Sequence, residues 1–518
     1  RRRPSSHRPS ATTDKGSRNR SSVIRHDGHG ERADTVRRFG PSFGVHKSIF
    51  QNLSPLDHRY YLANRELFDK LAGYLSEDAS ITYTVRVEAA LLDAHVVSFF
   101  DADPELRRSV NNLTEQITPE AVYEEETRTD HNIRAVVNVI QRFVPEQLRP
   151  FVHLGATSMD ILDTANALRY REAVTDVILP LLSGLQHELI ALGRREIETP
   201  QVGRTHGQHA VPITFGFAVS SYVARLGDAI TELHRDTYRL RGKLSGAVGA
   251  YNATSVLAED PRDLERRVLG TLGLEPAAVS TQIVPPEPML RVLQDINLAF
   301  GVIANIADDV RHLQRSEIAE VAEAFGEHQV GSSTMPQKRN PWNSEHVKSL
   351  WKAFAPRVMT GYMDQISEHQ RDLSNSASSR FNADYFAGFV AACSRMRRVI
   401  GRLTVDQKRM RENLALNGDS LLAEPAYILL ALSGQADAHE TVRRATLRGE
   451  QEGLSLKEAL SADTDAWQRI SQTLERSVGA DAEQFFAKPE HYTGRASRTA
   501  REVFDRFEAQ LYELGIED

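Results

Sequence analysis

The stretch richest in chemical possibility is Gly331-Ser332-Ser333-Thr334-Met335-Pro336-Gln337-Lys338-Arg339-Asn340-Pro341. Its Gly, Ser and Pro content makes it a loop between two helical patterns. Hydroxyls, a cation and an amide in one loop could remove a proton and hold the resulting anion. An ordinary interhelix linker is the plainer reading, although a linker does not need Lys338 and Asn340 bracketed by prolines. A second stretch, Gly203-Arg204-Thr205-His206-Gly207-Gln208-His209-Ala210-Val211-Pro212, places two imidazoles three residues apart. No matching carboxylate or Cys cluster accompanies them, so no metal is expected. A satisfied structural histidine is the stronger reading of His209. A third stretch, His153-Leu154-Gly155-Ala156-Thr157-Ser158-Met159-Asp160, reads as a helix start with Thr157-Ser158 at the cap. A helix start is also a good anion site.

These loops need rigid supports, and the pattern from Ser42 onward supplies helices. Phe217 to Leu244 has no Gly or Pro except Gly227 and Gly242, and Met289 to Phe325 runs without proline. As one helix the latter would span on the order of 55 Å. Within it Leu293, Ile296, Phe300, Ile303, Ala307 and Val310 step by three and four, and Val292, Val302 and Ile306 widen the apolar stripe. So wide a stripe needs neighbours on several sides, which predicts a bundle of long helices completed by other subunits. Period-two stretches are scarce. The expected class is all-α, with a basic, disordered tail over 1–40, a helical domain over 41–150, a long-helix domain over 151–400 and a C-terminal helical domain over 401–518. The tail is rich in Arg, Ser and Gly and poor in large apolar side chains, too little to offset ordering entropy,.

Bulk properties limit the function further. Hydrophobic residues make up 41% of the 518 and charged residues 26%, and the net charge is −7. That balance demands neither nucleic acid nor an anionic membrane as partner. An acidic protein that handles an anionic substrate must concentrate its cations locally. No run of 18 apolar residues occurs, so no transmembrane helix is expected. The single cysteine, Cys393, excludes an internal disulfide framework and fits a reducing, cytoplasmic setting,.

The Gly331–Pro341 loop closely resembles the signature loop of the fumarase/aspartase superfamily, which includes argininosuccinate and adenylosuccinate lyases. The resemblance implies that Ser332 is the catalytic base and that Lys338 and Asn340 contact a substrate carboxylate. The Thr205-His206-Gly207 stretch is similar to the family's Thr-His-Gly motif, which makes His206 the general acid, with Glu345 pairing with and orienting it. On its own Glu345 is only a first-turn helix acid. Thr157-Ser158 resembles the pair that binds the succinyl carboxylate. Thr129-Asp130-His131-Asn132 resembles the stretch carrying a second active-site His, His131, with Asp and Asn exchanged around it. Ser280-Thr281-Gln282-Ile283 is similar to a stretch whose Gln, here Gln282, binds substrate, and Pro286-Glu287-Pro288 departs from the usual continuation.

Other features resemble the adenylosuccinate lyase branch, of bacterial type. They are Ser54-Pro55-Leu56-Asp57-His58-Arg59-Tyr60, whose Arg59 and Tyr60 would contact the nucleotide, and Leu422-Ala423-Glu424-Pro425. To these is added Arg371, Ser376 and Arg380 as a phosphate and purine-side set, with Ser376 and Arg380 on one helix face. By composition alone that last segment reads as a solvated surface helix. The resemblance covers about Leu53 to Arg498. It implies a three-domain helical fold, a homotetramer whose active sites draw on three subunits, no cofactor, and a small nucleotide as substrate. The implied reaction is release of fumarate from adenylosuccinate and from its earlier carboxamide-ribotide analogue (SAICAR). Elimination from a nitrosuccinate- or argininosuccinate-type substrate is the first alternative, and a non-catalytic structural homologue the second.

Overall fold

The computed structural model describes residues 48–326 and 334–516. The basic tail over 1–40 and Ser332 lie outside the described residues.

Three long helical elements build the central bundle. The first is a rod, Ser158–Ala173 and Leu179–Arg195, joined without a break by a π-helical turn at Val174–Ile178. Pro180 lies just beyond that turn. Proline lacks an N–H and its ring crowds the carbonyl four residues back, so a wider turn there relieves the clash without ending the helix. The second is Phe215–Thr237 and the third Glu287–Leu313. Phe215–Thr237 packs against both of the others. Leu185, Leu226, Ile230, Leu233, Ile296, Phe300 and Ile303 are fully buried at the shared core. Glu287–Leu313 is long and apolar enough to cross a membrane, yet 61% of its most apolar window is buried. Its hydrophobicity is therefore used largely by the bundle. Trp342–Phe354 and Asn382–Ile400 pack beside it.

The third long helix is shorter than the expected 289–325 span. It ends at Leu313, and Ala319 takes a left-handed φ of 52°. The segment past its end is held by side chains: Arg409 donates to the carbonyls of Glu317 and Ile318 at 2.9 and 3.1 Å, and Asn413 to Ile318 at 2.7 Å. Pro286-Glu287-Pro288 forms the opposite end, with proline in the first turn, where its missing N–H costs nothing,.

Residues 422–486 hold a second core around Leu430, Leu460, Ile470 and Phe486. The chain then returns to the bundle through Ala496–Glu513, which packs on Phe215–Thr237 and Leu179–Arg195. Two glycines admit it. A Cβ at Gly193 would lie 2.2 Å from the Phe504 ring, and one at Gly227 would lie 2.1 Å from the Phe507 ring. Both phenylalanines are buried.

Strands are few and short. The longest pair is an antiparallel hairpin, β1 Pro200–Thr205 with β2 Gln208–Thr214. It carries the His206 motif, where no strand was expected.

Candidate active site

Thr157 caps the Ser158–Ala173 helix, and its N–H donates to Asp160 at 2.8 Å in a capping box. This is the helix start expected from sequence, and a helix start of this kind can serve an anion with its first N–H groups,. Beneath it lies a charge pair that the sequence reading missed. Asp160 is fully buried and accepts Lys243 Nζ, itself almost fully buried, together with the N–H groups of Ser245 and Gly246 at 3.0 and 3.2 Å. Ser245 Oγ in turn lies 2.6 Å from Ser280 Oγ. One helical turn beyond Asp160, Asp163 accepts the Val284 N–H at 2.8 Å. Burial pushes its carboxyl up to about 7, against the opposing pull of that N–H, Lys243 and Arg371.

Two predicted substrate contacts meet beside this pair. Arg371 Nη1 donates to Gln282 Oε1 at 2.8 Å, and the Gln282 N–H reaches the Gln370 carbonyl at 3.4 Å. Both side chains are half-buried. Ser376 and Arg380 are exposed nearby in sequence, but not on an α-helix as expected. Residues 374–377 are turns and Ser378–Phe381 is a 3-10 helix. Asp372 accepts the N–H groups of Glu368 and Ser374 at 3.0 and 2.8 Å, and Asn375 donates to the Asp364 carbonyl at 2.6 Å. Short polar side chains bonding to nearby backbone compete with the helical ladder, and here they win.

His131 is the N-cap of the Asn132–Phe143 helix, its Nδ1 accepting the Arg134 N–H at 3.3 Å. The preceding residue, Asp130, turns the chain with a left-handed φ of 48°. Asn132 spends its Oδ1 on the Ile133 N–H at 2.8 Å. All three are exposed. The two helices they join are clamped from below by Glu125, which accepts Asn138 at 2.8 Å and pairs with Arg128 and Arg142.

His206 sits at the tip of the hairpin. It and Gly207 have φ of 55° and 74° and link the Thr205–Gln208 pair, a two-residue turn with both central residues left-handed,. For His this conformation costs about 1–2 kcal/mol. The base of the hairpin is rigid: buried Glu320 accepts Arg204 at 2.5 Å, Gln201 at 2.8 Å and Asn413 at 2.9 Å. His209 bonds Asn417 at 2.5 Å, the satisfied role expected of it. His206 itself is exposed, and so is Glu345 in the first turn of Trp342–Phe354. No hydrogen bond or ion pair joins the two among the described residues.

The loop carrying Lys338 and Asn340 is closed at its base. Glu323, before the loop, accepts the N–H groups of Asn343 and Ser344 at 3.2 and 2.7 Å and the Ser344 hydroxyl at 2.6 Å. It therefore caps the helix that follows the loop. Gln314 adds a second tie, accepting the Glu323 N–H at 2.9 Å and donating to the Arg339 carbonyl at 3.3 Å. Lys338 is exposed and its N–H bonds the Met335 carbonyl at 3.0 Å; Asn340 is half-buried. On the other side of the same helix, Tyr60 bonds His346 at 2.9 Å, and Arg59 is exposed beside it.

A lyase family model matches residues 77–355, and a model of the adenylosuccinate lyase C-terminal region matches 367–478. The adenylosuccinate lyase of Pyrococcus horikoshii is 33% identical over 460 residues, covering 88% of this chain and 98% of that protein. The chain belongs to the adenylosuccinate lyase family. The relative from Archaeoglobus fulgidus is 31% identical, covering 87% and 97%. Among solved structures, the fumarate lyase from Mesorhizobium sp. BNC1 superposes with a TM-score of 0.70 at 23% identity, covering 84% of this chain and 97% of that one. The 3-carboxy-cis,cis-muconate lactonizing enzyme from Pseudomonas putida gives 0.72 at 23%, covering 88% and 100%. At that identity the two structures speak to the fold alone. Lys243, Asp163 and Glu323 had no motif to mark them, and Asp160 was marked only as the end of the Thr157 stretch; the clue for Lys243 was a lysine in the Gly-containing stretch Leu240–Val248.

Proposed function

We propose that this enzyme splits adenylosuccinate into AMP and fumarate, and SAICAR by the same elimination. The match to proteins named adenylosuccinate lyase along nearly their whole length carries this reading. The geometry supports it at two places. The Thr157–Ser158 helix start offers backbone donors for a succinyl carboxylate, with Lys338 and Asn340 as further contacts. Gln282 with Arg371, joined by Ser376, Arg380, Arg59 and Tyr60, offers donors for the nucleotide end,.

In the proposed mechanism Ser332 takes the proton from the carbon next to the carboxylate. A free Ser is a weak base, so cations and backbone N–H groups must favour its alkoxide in a site closed to water. Lys338 serves that purpose and stabilises the dianion. The C–N bond then breaks, its electrons pass to nitrogen, and His206, oriented by Glu345, supplies the proton. His131 assists at the phosphate or carboxylate end.

We further propose a homotetramer in which His206 works on a site completed by other copies. The exposure of His206 and Glu345, without a link between them in one chain, supports it. A cytoplasmic setting fits the single cysteine, Cys393, buried and unpaired,. The test is the ultraviolet difference spectrum of the protein with adenylosuccinate, with fumarate assayed separately. Matching loss of substrate absorbance and gain of fumarate is expected. No change from a folded oligomer would reject the reading.

A further inference from the structure

One hydrogen bond ties Tyr60, in the short helix Arg59–Ala63, to the helix that follows the signature loop. The Tyr60 hydroxyl lies 2.9 Å from Nε2 of His346, with the rings 5.7 Å apart and tilted by 59°. Trp342, one turn earlier on the same helix, meets the His346 ring edge-on at 6.4 Å. The Arg395 guanidinium covers that indole at 5.1 Å and donates to Asn343 Oδ1 at 2.8 Å. The imidazole is thus boxed in, and both partners of the hydrogen bond are half-buried. Burial, then the charges of Arg395 and Arg59, hold its pKa below the ordinary histidine range. A neutral ring has one donor and one acceptor nitrogen, so Nε2 engages Tyr60 in a defined sense. A phenol bonded on one side can no longer rotate freely, and its remaining donor or lone pair points one way.

We propose that His346 is a positioning residue for the nucleotide end of the substrate: by holding the Tyr60 hydroxyl, it presents Tyr60 and the adjoining Arg59 to the nucleotide. Three features favour this over simple packing. The contact is polar where a phenylalanine would fill the same space. It joins residues far apart in sequence. It also adjoins Glu345, so it links the nucleotide end to the helix that carries the proposed partner of the general acid. The inference rests on the reading of Arg59 and Tyr60 as nucleotide contacts, and it assigns His346 a share in affinity rather than in bond breaking.

The test compares His346→Phe and His346→Gln with the unmodified enzyme, whose turnover of adenylosuccinate is measured first and decides the proposed function separately. In His346→Phe, KM for adenylosuccinate and the inhibition constant of AMP should both rise about tenfold, the worth of one well-placed hydrogen bond. kcat should hold within about threefold, and inhibition by fumarate, which lacks the nucleotide, should not change. His346→Gln, whose amide can reach the same hydroxyl, should recover most of the loss. Unchanged AMP inhibition in a folded His346→Phe enzyme, or equal loss in both variants, would overturn the proposal. Should His346→Phe not fold, Tyr60→Phe serves instead. It should raise the AMP constant by a similar factor and make a further His346→Ala change silent, although His346→Ala alone should raise that constant about tenfold; additive losses would overturn the proposal.

Discussion

The helix start at Thr157 and the hairpin tip at His206 both carry family motifs, yet they are built in opposite ways. Under Thr157 the buried ion pair is answered inside the chain: Asp160 has Lys243 and two backbone N–H groups, and Ser245 beside it has Ser280. At the hairpin the strands are held by Glu320 and Asn417, while the tip holds an exposed histidine in a left-handed turn. The first end is finished by folding. The second is aimed outward, with a strained backbone and no partner for His206 among the described residues. A left-handed histidine at an exposed tip fits the role proposed for His206,.

Changes at the two ends should therefore separate stability from activity. The largest effect is expected for Lys243→Met, which strands Asp160 as a buried lone charge and should cost about 3–5 kcal/mol, read by denaturant unfolding. An unchanged midpoint would mean the pair does not anchor the helix start. His206→Asn should leave that midpoint in place while turnover falls about 10²–10⁴-fold, the usual worth of a general acid; a parallel loss of stability would erase the contrast. Mixed oligomers sharpen it. Two dead variants, His206→Asn and Arg371→Gln, denatured together and refolded, should recover part of the wild-type rate, because some sites regain both residues from different copies. No recovery would place both residues in one chain's site.

The finished end also carries a pH signature. The Asp163 carboxyl titrates near 7 in the fold against a usual 3.8, so the folded state holds the extra proton between those values. Its contribution to stability is full below the unfolded value and is lost as pH rises toward 7. Asp163→Asn should flatten that decline in a series of melting curves, and an unaltered slope would assign the proton elsewhere. The smallest effect is at the tip: His206→Gly should stabilise by up to about 1 kcal/mol, since glycine accepts the left-handed turn without penalty, while turnover is lost. A destabilised His206→Gly protein would mean the turn is not strained.

Much of this was legible in the sequence, for identifiable reasons. Three- and four-residue spacing over Leu293 to Val310 marks a helix because burial follows that period, and those residues are indeed buried. Thr157 reads as a cap because a short hydroxyl side chain precedes a helical run, and it is the N-cap of Ser158–Ala173,. Three features were not legible. The end of the long helix at Leu313 depends on Arg409 and Asn413, about a hundred residues away in sequence,. The helix expected through Ser376 and Arg380 yields to Asp372 and Asn375, whose local bonds composition does not weigh,. The hairpin at His206 lacks the Asn-Gly turn and the clean alternation that announce strands. What would meet the exposed His206 and Glu345 in the proposed assembly lies on other copies of the chain, which no single sequence displays.

The glycine notches at 193 and 227 govern timing as well as packing. Their occupants, Phe504 and Phe507, are made about 300 residues after the notches themselves,. Until then two grooves on the central helices stand open and apolar. A chain cut before Phe504 keeps them open, and the apolar surface is covered only once the Ala496–Glu513 helix docks,.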